Sequence, residues 1–131
     1  KEQFQERLKA YGSHFLLLFY QGELISFING FVSNQRDLSD EMYENVSLHD
    51  EDGDWQMIFG VNTHPEFQKR GIATRMMQAF LEEAKKEGRK GAVLTCKKEK
   101  IPFYSRCGFD IEGKSASVHG DAEWYQMRRR F

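Results

Sequence analysis

The spacing of apolar positions changes along the chain and predicts its first elements. Apolar residues recur at helical spacing over residues 2–11, which predicts an amphipathic helix. Residues 14–20 and 24–32 are two largely apolar runs on either side of Gly22, an arrangement typical of a β-hairpin with a tight turn. Gly30 lies inside the second run, where a glycine indicates a bulge or a close approach of another backbone.

The pattern then changes to a long polar stretch followed by a strand and a helix. Residues 33–54 are polar and acidic, so we expect a long loop with one helical turn at residues 40–44. Residues 55–61 form the next predicted strand. An amphipathic helix opens at residues 68–73 and ends at Gly88.

The last third of the chain supplies three more strands and a short helix. Residues 92–96 have the pattern of a short buried strand, residues 101–106 of a short helix, and residues 109–112 and 123–131 of a closing pair of strands. Strands joined by hairpins pair antiparallel, whereas the strand–helix–strand unit needs a crossover that brings one parallel pair. We therefore expect a mixed α/β sheet that is mainly antiparallel. The chain begins abruptly in a helix, as if an earlier strand and helix were missing from it.

Composition indicates one globular domain over residues 1–131 and excludes several functions. The net charge of -1 argues against a general nucleic-acid binder. The longest apolar run, residues 15–19, is too short to span a membrane. Cys96 and Cys107 lack the spacing of a metal or disulfide site, so we expect no metal and a cytoplasmic location. The run of arginines at residues 128–130 is expected to be an exposed strand end rather than a basic patch.

A glycine-bearing turn at the start of the long helix carries the first chemical signal. It reads Gln68-Lys69-Arg70-Gly71-Ile72-Ala73. Free backbone N–H groups at a helix start bind anions, and a glycine lets the backbone approach a phosphate closely. Two cations there oppose the helix dipole and cost stability until an anion binds. The turn therefore indicates a pyrophosphate site, although a solvated helix start is the plainer alternative.

This turn resembles the Q/R-x-x-G-x-G/A motif of the GNAT N-acetyltransferase superfamily. A second signature, Ile101-Pro102-Phe103-Tyr104-Ser105-Arg106-Cys107-Gly108-Phe109, resembles the short helix and Tyr-x-x-x-Gly-Phe pattern of the same family. Leu94-Thr95-Cys96 followed by Ile101-Pro102-Phe103-Tyr104 is similar to its arylalkylamine (serotonin) N-acetyltransferase branch.

The resemblance implies a fold in which two adjacent parallel strands splay apart and acetyl-CoA, the co-substrate, enters the gap. The pantetheine arm would hydrogen-bond the strand end Val61-Asn62-Thr63, and the pyrophosphate would lie on residues 68–74. The cofactor-binding residues that it implies are Val61, Asn62, Thr63, Gln68, Lys69, Arg70, Gly71, Ile72, Ala73, Thr74 and Phe103.

The resemblance also implies a direct transfer of the acetyl group to an amine, with Tyr104 as the general acid that protonates the departing thiolate. A backbone N–H near Val61 would stabilise the oxyanion. The branch's strand histidines are replaced here by Met57 and Phe59, so the base is open. His119 is the first candidate for the base. Glu44, His49, Asp54 and a bound water are the other candidates.

Three functions remain open at this point. An acidic loop at residues 37–54 would attract a small cationic or arylalkyl amine, with Glu44, Trp55 and Phe59 facing this acceptor. The same chemistry on a protein N-terminus or lysine is the second possibility. A non-catalytic acyl-CoA sensor is the third. We expect a monomer or a homodimer, since a missing first strand would leave a sheet edge open for pairing.

Overall fold

The structure is a computed structural model, and it describes residues 15–68, 71–115 and 123–131. Predictions that fall on residues 1–14, including the first helix, lie outside the described residues. In the described part of the chain, six strands form one sheet in the order β1-β2-β3-β4-β6-β5. The strands are β1 (Phe15–Tyr20), β2 (Glu23–Ser33), β3 (Trp55–Thr63), β4 (Gly91–Cys96), β5 (Asp110–Lys114) and β6 (Tyr125–Arg130).

The strand pairing confirms a mixed sheet that is mainly antiparallel. β3 and β4 are the one parallel pair among the described strands, and every other neighbouring pair is antiparallel. The crossover between β3 and β4 contains the long helix, as a parallel connection requires. The described helices are α1 (Glu41–Glu44), α2 (Ile72–Lys86) and α3 (Ile101–Arg106), together with 3-10 turns at Val46–Leu48, Pro65–Phe67 and Lys98–Lys100.

α2 covers one face of the sheet because its apolar residues recur every three or four positions. Its buried residues are Met76, Met77, Phe80, Leu81 and Ala84. They form one core with Ile58 and Leu94 from the parallel pair, and α3 packs against the same core through Phe103 and Tyr104. Both α2 and α3 therefore lie on the same side of the sheet.

The opposite face carries a second core that the acidic loop covers. Leu38 and Met42 from this loop pack against Phe31 and Met57 of the sheet. The helical turn predicted near residues 40–44 is confirmed as α1. Within the described residues, the acidic loop is thus what covers this face of the sheet.

Gly30 is the point where β2 and β3 come closest. The pairing register shifts between Asn29 and Gly30, and a Cβ at Gly30 would lie 1.7 Å from the carbonyl oxygen of Met57. Both the bulge and the close approach expected at this glycine are therefore present, and the extra residue of the bulge is Phe59 on the partner strand.

Candidate active site

The parallel strands separate halfway along β3. They pair from Trp55–Gly91 to Ile58–Leu94, and then the pairing stops. The bulge at Phe59 comes directly after the last paired residue, and bulges bend a strand and increase its twist. From Gly60 to Thr63, β3 stays paired with β2, while its other edge pairs with no strand in the described structure. The splayed pair expected from the resemblance is present.

The gap continues into an open cleft of about 600 Å³ on the side of α2 and α3. The end of β3 and the start of α2 form one part of its wall, and α3 with the turn before it forms the other. The lining residues are Val61, Asn62, Thr63, Phe67, Gln68, Gly71, Ile72, Ala73, Thr74, Glu99, Lys100, Pro102, Phe103, Tyr104 and Arg106. The structure thus brings together nearly all of the predicted cofactor-binding residues. Lys69 and Arg70 lie outside the described residues.

The start of α2 leaves hydrogen-bond donors available at the cleft. Gly71 is the N-cap residue, it has φ 76° and ψ 6°, and it has no side chain to cap the helix. The backbone N–H groups of the first turn therefore have no acceptor within the helix. That turn carries no acidic residue that would neutralise the positive end of the helix dipole. A Cβ at Gly71 would meet nothing within 4 Å, so the space beside it is open.

Side-chain hydrogen bonds hold the connection between β3 and α2 in place. Gln68 donates through Nε2 to the carbonyl oxygen of Thr63 at 3.1 Å. His64 accepts through Nδ1 from the backbone N–H of Glu66 at 3.2 Å, which caps the 3-10 turn. The end of β3 and the residues that follow it as far as Gln68 are thus held together on one side of the cleft.

Tyr104 lies on the other side of the cleft, between two aromatic rings. Its ring centroid is 5.1 Å from that of Phe103 and 6.1 Å from that of Phe109, both edge to face. The end of α3 is anchored by Arg129, whose Nη1 donates to the carbonyl oxygen of Cys107 at 2.9 Å. Aromatic packing and this hydrogen bond restrict the orientation of Tyr104 in the cleft wall.

Two cations of the cleft were missed by sequence reasoning. Lys100 directly precedes α3 and Arg106 is its last residue. Both line the cleft, and both are exposed. Among the described residues, neither side chain has an ion-pair or hydrogen-bond partner. A signal was present in the sequence, since Arg106 lies inside the second signature and Lys100 immediately precedes it. Glu99 also lines the cleft and partly offsets their charge.

The prediction that Trp55 faces the acceptor is corrected, because this side chain is buried. Its exposed fraction is 8%, and it lies in the second core at the start of β3. The guanidinium carbon of Arg128 lies 4.4 Å from the centre of the indole ring. Phe59, by contrast, is only partly buried, and its ring centroid is 4.8 Å from that of Phe31. Phe59 lies beside the opening and remains an acceptor candidate.

The predictions of His49 and Asp54 as alternative bases are also corrected. His49 accepts a hydrogen bond at Nδ1 from the backbone N–H of Val32 at 3.0 Å, and its Nε2 lies 3.0 Å from Glu51. Since Nδ1 accepts, Nε2 carries the proton, and the ring has no free lone pair for an incoming proton. Asp54 precedes β3 at the end away from the opening and pairs with Lys90 at 3.3 Å. His119 and the side chain of Glu44 lie outside what the structure describes.

The cysteines are poor nucleophiles. Burial, with a smaller contribution from Glu99, raises the pKa of Cys96 to about 11. Its thiol donates to Sδ of Met127 at 3.7 Å. Burial also raises the pKa of Cys107 above its usual value of 9.0. Because the thiolate is the reactive form, the geometry does not favour a covalent acetyl-enzyme.

The expectation of an exposed strand end at the arginine run is corrected for Arg128, whereas Arg130 at the end of β6 is exposed. Arg128 is only 2% exposed, although residues 128–130 were expected to be an exposed strand end. Its side chain lies on the face of the sheet that the acidic loop covers, since alternate residues of a strand point to opposite faces.

Comparison with known proteins identifies the family. Residues 1–109 match the family model described as the acetyltransferase (GNAT) family. The chain belongs to the GNAT acetyltransferase family. It is 25% identical over 124 residues to serotonin N-acetyltransferase of Mesocricetus auratus, and the match covers 88% of this chain and 58% of that protein. The chain therefore spans less than two thirds of this relative.

Solved structures share the fold. The loading GNATL domain of CurA from Lyngbya majuscula has a TM-score of 0.82 at 14% identity, over 98% of this chain and 82% of that one. A Bacillus anthracis protein in complex with acetyl coenzyme A has a TM-score of 0.65 at 15% identity, over 89% of this chain and 61% of that one. Among the helices that the structure describes, none combines the length and apolar character needed to cross a bilayer.

Proposed function

We propose that the chain is an acetyl-CoA-dependent N-acetyltransferase that moves an acetyl group directly from the thioester to an amine. The observation that carries the proposal is the cleft, because it opens along an unpaired strand edge and extends to an uncapped helix start. Both features suit parts of coenzyme A. An extended amide-containing arm can hydrogen-bond a free strand edge, and a pyrophosphate matches the N–H groups of a helix start.

Different segments of the cleft are proposed to bind different parts of coenzyme A. We infer that the backbone of Val61–Thr63 binds the pantetheine arm, with Phe103 packing beside it. The backbone of Gly71–Thr74 binds the pyrophosphate, and Gln68 supports it by holding this turn to β3. Lys69 and Arg70 belong to the same proposed site by their place in the motif. Lys100 and Arg106 add positive charge to the opposite wall, which suits a ligand as anionic as coenzyme A.

Tyr104 is the proposed general acid. In the reaction, the amine nitrogen forms a bond to the carbonyl carbon, the carbon–sulfur bond breaks, and the departing sulfur takes a proton from the phenol. The proton that the nitrogen loses on becoming an amide restores the phenol. Tyr104 lines the same cleft as Val61, so the acid and the proposed arm-binding edge lie in one site. His119 is the proposed base that accepts the ammonium proton of the acceptor, an assignment that rests on its place in the sequence between β5 and β6.

The proposed acceptor is a small cationic or arylalkyl amine. Two observations support it over a protein acceptor. The acidic loop covers the face of the sheet away from α2, and Phe59 lies at the opening on that face. The relative from Mesocricetus auratus is, by its name, an N-acetyltransferase of serotonin. A protein N-terminus and a sensor role remain as outcomes of the experiment below.

The experiment is a thiol-release assay with acetyl-CoA and three acceptor types: phenethylamine, spermidine and a short peptide with a free N-terminus. We expect turnover with one of the two small amines. We expect Tyr104→Phe to lower kcat on the order of a hundredfold with little change in either KM. Tyr125→Phe is the matched control, since its hydroxyl contacts Glu123 and it does not line the cleft.

Each outcome of the assay separates the hypotheses. Turnover with the peptide alone would favour a protein acceptor, and tight binding of acetyl-CoA without any turnover would favour a sensor. Full kcat in Tyr104→Phe would remove Tyr104 from the acid role. An unchanged pH–rate profile in His119→Ala would remove His119 from the base role.

A further inference from the structure

A buried arginine connects the acidic loop to strand β6. Arg128 lies on β6, and its side chain is only 1% exposed. Its Nη2 donates to Oδ1 of Asp37 at 2.8 Å, and its Nε donates to Oε2 of Glu112 at 2.8 Å. The ring of Trp55 covers the guanidinium group at 4.4 Å. The guanidinium group is thus buried, whereas the side chain of Asp37 is 59% exposed and that of Glu112 is 23% exposed. Charge-assisted hydrogen bonds are stronger than neutral ones, and the burial of the arginine strengthens them further.

Gln126 makes a second connection beside the first. Its Oε1 accepts from the backbone N–H of Leu38 at 3.2 Å. Its Nε2 donates to Oδ1 of Asp37 at 3.0 Å and to Oε1 of Glu112 at 2.9 Å. The oxygen of this carboxamide therefore holds the backbone of Leu38, and its nitrogen holds the side chain of Asp37.

The other end of the acidic loop is held in the same manner. Arg89 donates through Nη1 to the carbonyl oxygens of Glu51 at 2.6 Å and Gly53 at 2.9 Å. Its Nη2 pairs with the carboxylate of Glu51 at 3.0 Å. A loop of this length would ordinarily be free to move. Here its start is bonded to β6, and its end is bonded to Arg89, which lies between α2 and β4.

The fixed start of the loop lies next to the opening between β3 and β4. Gln126 of β6 pairs with Thr95 of β4. Thr95 is the first residue of β4 after Leu94, where the pairing with β3 ends. Phe59 is the corresponding residue of β3, and it packs at the margin of the core that contains Leu38. α2 and α3 lie on the cleft side of the sheet, so the face that this loop covers is the other approach to a thioester in the gap.

We propose that Arg128 and Gln126 are positioning residues that fix residues 37–42 as the wall against which the acceptor amine binds. The proposal rests on the proposed function and names the part of the chain that sets its acceptor affinity. The acceptor is a cationic amine whose apolar body packs beside Phe59, while the acidic loop supplies the negative potential. Arg128 and Gln126 act through the loop, and neither touches the reacting atoms.

The test uses three variants of the full chain. Gln126→Ala removes the hydrogen bonds to the loop without leaving a buried charge, and Asp37→Asn keeps the side-chain shape. Arg36→Ala is the matched control, because Arg36 contacts the same two carboxylates from solvent and is 59% exposed. We expect the KM for the best amine of the panel to rise by about tenfold in the first two variants. The KM for acetyl-CoA should change by less than about twofold in all three.

Amide hydrogen exchange gives a readout that does not depend on turnover. In Gln126→Ala we expect the amide of Leu38 to exchange at least about tenfold faster, with α2 and β4 unchanged. Unchanged exchange at Leu38 would overturn the positioning role. Faster exchange with an unaltered amine KM would show that the loop does not contact the acceptor, and would overturn the proposal while leaving the acetyltransferase intact. Absence of turnover by the unmodified chain with every amine would instead overturn the proposed function, and the claim about amine KM with it.

Discussion

Gly71 and Gly88 offer a matched pair of substitutions that separates binding from stability. Both glycines have a positive φ, 76° and 84°, and at both a new Cβ would meet no protein atom within 4 Å. Gly71 lines the cleft, whereas Gly88 follows the far end of α2 and does not. Replacing each with alanine therefore imposes the same backbone strain, but only one of the two methyl groups enters the cleft.

The expected magnitudes follow from this geometry. Alanine in the left-handed region costs about 1 kcal/mol relative to glycine, so both variants should unfold about 4 °C lower than the unmodified chain. The methyl group at position 71 would occupy the space through which a phosphate approaches the backbone. We expect the Kd for coenzyme A to rise by about tenfold or more in Gly71→Ala and to stay unchanged in Gly88→Ala.

The assay combines thermal unfolding without ligand and calorimetric titration with coenzyme A. The thermal measurement checks that the two variants are equally destabilised, and the titration then compares their affinities. Equal Kd values in the two variants would refute the placement of the pyrophosphate at Gly71.

Three further predictions address charge and cysteine chemistry. Lys100→Ala and Arg106→Ala should each weaken coenzyme A binding several-fold, by about 1 kcal/mol, and reduce its salt dependence, while exposed Lys98→Ala outside the cleft should not. The hydrogen bond from Arg128 lowers the pKa of Glu112 below its usual 4.5. That stabilisation is present above pH 4.5 and is lost as the pH falls through the lowered pKa. Glu112→Gln should therefore lower the free energy of unfolding by about 1 kcal/mol near neutral pH, with the deficit vanishing in acid-unfolding curves. Cys96→Ala should keep kcat within about twofold, since the buried thiol is not ionised at neutral pH; a large loss of kcat without destabilisation would contradict this.

The sequence predicts the elements that depend on local pattern. The hairpin of β1 and β2, the amphipathic α2 and the short α3 follow from residue spacing and from glycines that end them. The cleft could also be predicted, because its main residues come from two short signatures. Val61, Gly71 and Tyr104 are far apart in the chain, and the family resemblance was needed to place them in one site.

The features that the sequence could not predict depend on contacts between distant residues. Arg128 reaches Asp37 across 91 positions, and nothing in the local pattern of three arginines distinguishes the buried one. Trp55 was expected at the acceptor because an aromatic residue followed an acidic loop. It is instead buried under Arg128, since the strand begins at the end of the sheet away from the opening. His49 had the chemistry of a base, but its hydrogen bond with Val32 is a tertiary contact.

Hydrogen exchange on addition of acetyl-CoA is the most direct test of the cleft as a coenzyme A site. The amides of Val61–Thr63 and of Ile72–Thr74 should become protected, because an extended arm pairs with the first and a pyrophosphate accepts from the second. The amides around Gly88, at the other end of α2, should exchange as before. Binding without protection at these two segments, or no binding at millimolar acetyl-CoA, would contradict the assignment of the splayed strands and the Gly71 turn to the thioester donor.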